Sequence, residues 1–275
     1  FKWAFSQGPQ TKASMPSMFT GRYYSEVDRT PHLWAAIHPE NVMLAERLKA
    51  LGYQTAGIPS HRFFLPSYGL NQGFDHWDLS IVELHGTRMP HRITGHLVTD
   101  KAIEWLEKGR KQTGRFLLWL HYFDPHHFYQ DHPDIDFGSS DSDLYDEEIR
   151  YTDQQIGRLL TWLEGSELIK DTYVVLSADH SEAFREHDYR YHGAHLYNDQ
   201  LHVPLAILGP GLPAREVQVP VGNIDLAPTL IELAGGAVPP DLQGLSLLDF
   251  ADPDANPKRP PVYAEMVKDA THSSR

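Results

Sequence analysis

Apolar positions along this chain fall into two alternating spacings, and the alternation lays out the elements. Val42, Leu44, Ala45, Leu48 and Leu51 lie at helical spacing and Gly52 supplies the stop. A short strand is expected at 53–58. Leu97, Ala102, Ile103, Trp105 and Leu106 predict a second amphipathic helix over 94–108, and FLLWLHY (116–122) predicts a buried strand. A long helix is expected over 144–163, with Ile149, Ile156, Leu159, Leu160 and Leu163 on one face and its acidic residues on a solvated face. The run Tyr173-Val174-Val175-Leu176 is rich in β-formers and suits a strand buried on both faces. A further apolar run covers 203–208. The segment 221–234 enters a helix at Pro228, with Asp225 capping or bracing it. Buried strands alternating with amphipathic helices predict an α/β fold, a mostly parallel central sheet sandwiched by helices. One large domain covering residues 1–275 is the simplest count.

Two of the expected strands run straight into chemistry. Asp179 and His180 follow the strand at 173–176, and Asp124-Pro125-His126-His127 follows the one at 116–122. Ligands of open α/β sheets bind beyond the carboxyl ends of the strands. One carboxylate beside one imidazole suits a hard or borderline divalent metal. The plainer alternative is an Asp that caps a loop and a His held by a backbone carbonyl; for His126 the choice is likewise between holding its loop and touching a substrate. Near the start, a Gly-Pro turn leads into a Thr/Ser-rich stretch closed by Thr20-Gly21, where Thr11 or Ser14 would serve as an ordinary helix cap.

Composition narrows the options. The net charge of −13 argues against nucleic acid as a partner, but leaves room for an anionic substrate, since a bound metal inverts the local field. The chain has no cysteine, which removes disulfides, thiolate zinc sites and a Cys nucleophile. No run of roughly 18 apolar residues is present to span a membrane.

The string SADHSEAFREH followed by YHGAHLYNDQLHVPLAILGPG resembles the sulfatase family of the alkaline phosphatase superfamily. There a strand ends in a metal-binding Asp-His or Asp-Asn, and a His-Gly and a VPL-x-x-x-GPG strand follow. GLNQGFDHWD, the DPH at 124–126 and VGNIDLAPTLIELA match further family segments. The resemblance implies Asp179 and His180 as ligands of a divalent ion (Ca2+, Zn2+, Mn2+ or Mg2+), and His126 and His192 near the ester. Counting back nine residues from Thr20 gives Thr11 as the nucleophile, with Ser14 and Ser17 at the family's later serines. A rival register takes Ser14-Met15-Pro16-Ser17 as the family's nucleophile motif and makes Ser14 the nucleophile.

The chain departs from the pattern at Ser181, where Gly is usual, and at the Arg supporting formylglycine, which is Met15 or Met18 according to register. A Thr cannot become formylglycine. TKASMPSMF is similar to the Thr-nucleophile phosphoethanolamine and phosphoglycerol transferases. The implied activity is metal-dependent cleavage of sulfate or phosphate esters through a covalent intermediate. A transferase of that kind and an inactive sulfatase-like binding module are the alternatives. The resemblance lacks the family's first metal strand before residue 1 and most of its C-terminal subdomain after about 265. The chain is therefore expected to be a fragment truncated at both ends, weak in metal binding alone, from an extracytoplasmic or membrane-anchored parent. Residues 251–261 are expected as a linker, and PVYAE (261–265) as a strand.

Overall fold

The computed structural model describes residues 1–32, 34–85, 93–251, 258–269 and 272–274; part of the expected linker at 251–261 lies outside them. Its strands are β1 (Ala4–Phe5), β2 (Gln54–Ile58), β3 (His76–Trp77), β4 (Phe116–Leu120), β5 (Val174–Ser177), β6 (Ala183–Phe184), β7 (Arg190–Tyr191), β8 (His202–Val203), β9 (Leu205–Leu208), β10 (Val221–Gly222), β11 (Met266–Asp269) and β12 (His272–Ser274). Its helices are α1 (Thr11–Thr20), α2 (Leu44–Ala50), α3 (Ser80–His85), α4 (Gly95–Glu104), α5 (Asp141–Gly165), α6 (Asn198–Leu201), α7 (Leu226–Leu233) and α8 (Leu248–Ala251). The fold is α/β, as expected. No helix among the described residues is long and apolar enough to cross a membrane. The chain forms two compact units, one of Phe1–Leu51, Ser67–Gly73 and Thr172–Arg275, the other of Gly52–Pro66 and Phe74–Asp171.

In the second unit β2 pairs in parallel with β3 and β4, in register from Gln54 opposite Phe116 to Ile58 opposite Leu120. Ile58, Ile81, Val98 and Ala102 form its core, with Leu118, Leu120 and Leu159 packed against them. Each fully buried aliphatic side chain of this kind contributes about 1.5–3 kcal/mol. Gly57 is obligatory in β2. A Cβ there would lie 2.3 Å from the Trp77 ring, which stacks at 5.5 Å on Trp119. α5 begins at a capping box in which Ser140 Oγ accepts from the Asp143 N–H at 3.2 Å and the Asp143 carboxylate accepts from the Ser140 N–H at 2.9 Å.

In the first unit β1 lies between β10, parallel, and β8, antiparallel, while β5 pairs antiparallel with β9. Ala4, Val203, Leu205, Val221, Leu226 and Leu247 form a core beside them. α1 stops at Gly21, whose left-handed backbone (φ 67°) lets its N–H reach the Ser17 carbonyl at 2.9 Å.

Several expected details change. β5 and β4 are half-buried rather than buried on both faces, with Leu176 40% exposed. Among the described residues each pairs along one edge only, so no second neighbour covers its flank. α2 starts at Leu44, because the Glu46 carboxylate accepts the Met43 N–H at 2.8 Å and ends the extended approach there; Val42 is left outside, 48% exposed. Residues 94–108 split into α4 and a π-turn over Trp105–Gly109. α7 begins at Leu226, with Pro228 inside its first turn, where a missing N–H costs nothing. PVYAE is not a strand; β11 begins after it. On α5, Ile149 is 44% exposed, whereas Glu147 and Glu148 are buried at 1% and 2%. The acidic face expected to be solvated is thus partly interior, for a reason that lies in the loop around His126.

Candidate active site

The first unit carries Thr11, Ser14, Asp179, His180 and His192. Side chains fix the segments that present them. Ser6 Oγ lies 2.7 Å from the Gly8 carbonyl and also bonds the Asp179 carbonyl, tying the approach to α1 to the end of β5. Asn223 bonds the Ser177 hydroxyl at 2.8 Å and the Ala178 carbonyl at 2.7 Å, which sets where the chain leaves β5. Gln7, fully buried, accepts the Ile224 N–H at 2.6 Å.

At the end of β5, His180 Nδ1 lies 3.0 Å from the Ser181 carbonyl. A carbonyl only accepts, so Nδ1 carries the proton and Nε2 presents its lone pair. That lone pair faces Thr11 Oγ1 at 3.3 Å and Asp179 Oδ2 at 3.7 Å. Burial holds His180 below the ordinary imidazole value, Asp179 pulling the other way and His192 adding to the depression. A hydroxyl oxygen, a carboxylate oxygen and an unprotonated ring nitrogen therefore converge. This donor set fits a divalent cation, with the neutral imidazole that metal ligation requires.

Thr11 is the first residue of α1; the residue in the cap position is Gln10, so neither Thr11 nor Ser14 caps the helix. Ser14 lies one turn further on, 0% exposed, its Oγ without a hydrogen-bond partner among the described residues.

His192 follows β7, with its ring centroid 4.2 Å from that of His180. Its Nδ1 lies 3.1 Å from the Glu182 carboxylate, whose side chain is 5% exposed. The carboxylate accepts, so Nδ1 donates and Nε2 is turned to the other side of the ring. Gln200, fully buried, holds the turn after His192 by accepting the N–H groups of Gly193 and Ala194 at 3.0 and 3.2 Å.

His126 belongs to the second unit. Its ring stacks on Phe123 at 4.3 Å, and its Nδ1 lies 3.2 Å from the His127 carbonyl. Glu148 accepts the N–H of His126 at 3.2 Å and of Gln130 at 3.0 Å, while Glu147 accepts those of His132 at 3.3 Å and Phe137 at 3.0 Å. The two buried carboxylates of α5 are the struts of the His126 loop. Burial raises Glu148 to about 8. From below, Asp124 accepts both the N–H and the hydroxyl of Thr94, at 3.0 and 2.7 Å.

Pattern reasoning missed Glu182, Gln200, Glu147 and Glu148. Glu182 had a signal, its place two residues after the Asp-His pair; the others had none, because helix charges usually face water. A separate group, Asp28, His38 and Glu40, brings ligand-type atoms within 4.8 Å of one another at the surface.

The Sulfatase family matches residues 1–237, and the chain belongs to that family. Arylsulfatase K of Gallus gallus is 23% identical over 312 residues, covering 89% of this chain and 58% of the relative. Arylsulfatase K of Mus musculus is 38% identical over 99 residues, 35% of this chain and 18% of the relative. The chain thus spans less than two thirds of the length of these relatives. Among solved structures, Ps i-CgsB in complex with k-i-k-neocarrahexaose superposes with a TM-score of 0.76 at 18% identity, covering 98% of this chain and 71% of that one. BT4656 in complex with its substrate D-glucosamine-2-N,6-O-disulfate gives 0.70 at 17% identity, over 97% of this chain and 77% of that one. The phosphonate monoester hydrolase SpPMH from Silicibacter pomeroyi gives 0.68 at 17% identity, over 97% and 72%. At these identities the superpositions establish the fold.

Proposed function

We propose that this chain is the catalytic part of a sulfuric-ester hydrolase in which the Thr11 hydroxyl is the nucleophile. The observation that carries the proposal is the approach of Thr11 Oγ1 and Asp179 Oδ2 to the bare His180 Nε2, at 3.3 and 3.7 Å. The family match runs through both compact units, which supports taking residues 1–275 as one catalytic domain. Asp179, His180 and Thr11 would hold the divalent ion, which would supply Lewis-acid neutralisation of the ester oxygens and an acidified Thr11 hydroxyl.

The chain's own residues do the rest. Thr11 Oγ1 forms a bond to sulfur as the bond from sulfur to the leaving oxygen breaks, giving a threonyl sulfate. His192 gives the leaving oxygen its proton and is reset by the proton that the Thr11 hydroxyl releases as its oxygen bonds to sulfur; Glu182 on Nδ1 stabilises His192 as an imidazolium until the proton leaves Nε2. Water then attacks sulfur, restoring the Thr11 hydroxyl and releasing sulfate. Glu182 acts through His192, so it is a positioning residue. As in the sulfatases it resembles, the parent protein would work outside the cytoplasm.

Cleavage or transfer of a phosphorus ester is the second reading. Thr11 with Met15 stands where a true sulfatase needs formylglycine with its Arg, and a phosphonate monoester hydrolase shares the fold.

The test uses the full-length protein containing this chain, supplied with divalent metal, on aryl sulfate, aryl phosphate and aryl phosphonate side by side. Thr11→Ala is expected to lower turnover by on the order of 1,000-fold or more, while a correctly folded Ser14→Ala variant retains it. Loss in Ser14→Ala alone would transfer the role to Ser14. Turnover of the phosphorus esters alone would establish the second reading. Bound metal without turnover of any ester would point to the inactive module.

A further inference from the structure

The ester chemistry gives His195 no task, yet its ring is wired to the turn that follows His192. The link is Gln200, fully buried in the first unit. Its backbone carbonyl accepts the Ser181 N–H at 3.1 Å, next to His180. Its Oε1 accepts the N–H groups of Gly193 and Ala194 at 3.0 and 3.2 Å. Those two donors fix which way the amide faces, so its NH2 group is the one that meets His195 Nε2, at 3.1 Å. An amide NH2 only donates. His195 Nε2 therefore presents a bare lone pair, and the ring proton sits on Nδ1.

Nδ1 is buried with no hydrogen-bond partner among the described residues, and it faces Asp199 Oδ1, in the same condition, across 3.7 Å. The other Asp199 oxygen accepts from His187 Nδ1 at 3.0 Å. The rings of His187, Tyr189 and Tyr197 close around the imidazole, with centroids at 5.8, 5.5 and 4.7 Å. Asp199, His187, Tyr189 and Tyr197 are the titratable groups that face His195 among the described residues.

A proton on Nε2 would set N–H against NH2. Rotating the Gln200 amide would offer Oε1 to the ring, but would turn NH2 onto the N–H groups of Gly193 and Ala194. Neither orientation satisfies all three neighbours of a charged His195, so the charge on the ring and the path of the turn are coupled. His192 directly precedes this turn. Gly193 also lies against the entry to α1: its backbone is left-handed (φ 90°), and a Cβ on it would lie 3.2 Å from Gln10 Oε1.

We propose that His195 is a positioning residue for His192. Its neutral imidazole locks the Gln200 amide, the amide holds the turn that presents His192, and protonation of His195 releases that turn. This rests on His192 as the proton donor of the proposed reaction.

The experiment is nuclear magnetic resonance on the full-length protein, with the histidine rings and the Gly193 and Ala194 amides isotopically labelled. The neutral His195 ring should carry its proton on Nδ1. As pH is lowered, the two amide signals should shift together with the ring, and ester turnover should fall over the same pH interval. His195→Leu, which offers no acceptor, should lower kcat by on the order of 10-fold with KM little changed. His195→Gln places an amide oxygen near the position of Nε2 and cannot take a charge. It should recover most of that loss, abolish the joint shift of the amides, and move the acid-side fall in turnover to lower pH. The proposal is overturned if the ring proton sits on Nε2, if the two amides stay still while the ring titrates, or if folded His195→Leu turns over as fast as the native protein. The first two outcomes are read on the native protein, so they decide the matter even where a variant does not fold. His192→Ala separates the two proposals. Full turnover there would remove the proton-donor role of His192, while the amide signals would still report the coupling. Turnover lost in His192→Ala but intact in His195→Leu would overturn the positioning role alone.

Discussion

Thr11 and Ser14 are one helical turn apart, and their surroundings differ in kind. Thr11 meets the unprotonated nitrogen of a buried imidazole, whereas Ser14 is sealed in the helix packing with no partner for its hydroxyl among the described residues. A buried hydroxyl that bonds nothing is a net cost, so Ser14→Ala is expected to leave stability unchanged or raise it by up to about 1 kcal/mol. Chemical denaturation measures this, and a loss larger than 1 kcal/mol would mean the hydroxyl has a partner in solution. The same scale explains the tautomers. Ser181 and Glu182 each bond one Nδ1, so the rings of His180 and His192 present Nε2 on the side away from those partners.

The long helix α5 does its work through two adjacent carboxylates. Glu147 and Glu148 accept four backbone N–H groups from residues 126–137, which is why a loop rich in polar residues holds a defined path. The consequence is pH dependence. Burial, with Asp124 adding to it, raises Glu148 to about 8 from an ordinary 4.5. Between those values the folded chain holds a proton that the unfolded chain has released. The contribution of Glu148 to stability is therefore complete below about pH 4.5 and is lost as pH rises through about 8. Unfolding midpoints measured from pH 5 to pH 8 should fall more steeply for the native protein than for Glu148→Gln. Equal slopes would show that the carboxyl is not protonated in the fold.

Across the first unit, residues far apart in sequence close around the entry to α1. Glu265 accepts the N–H and hydroxyl of Ser25, both at 2.7 Å, while its own N–H reaches the Gln7 carbonyl at 2.8 Å. Arg259 pairs with Asp225 at 2.5 Å, and Asp225, 0% exposed, also accepts the N–H groups of Gly222 and Leu245 at 2.8 Å. Burial raises the Asp225 carboxyl even with Arg259 opposing it. Removing the guanidinium leaves that carboxylate uncompensated, so Arg259→Ala should cost roughly 3–5 kcal/mol in denaturant unfolding. A cost below 1 kcal/mol would mean that the pair is not formed in solution.

The sequence by itself determined the α/β class, because strand-like runs and helix-spaced apolar stripes are local patterns that β2, β4, α4 and α5 obey. It also singled out Asp179, His180 and His192 as candidates, since their order and spacing within one stretch carry the resemblance to sulfatases. Tertiary structure decided what local pattern could not. Periodicity made Ile149 a core residue and the α5 acids a solvated face, but unpaired N–H groups of a distant loop drew Glu147 and Glu148 inward. Two registers for the nucleophile were spelled out in residue types, with the ungapped count back from Thr20 favouring Thr11; the fold, by bringing the end of β5 against the start of α1, sets Thr11 Oγ1 against an imidazole and buries Ser14 Oγ with no partner among the described residues, because contacts between segments so far apart in sequence form only in three dimensions.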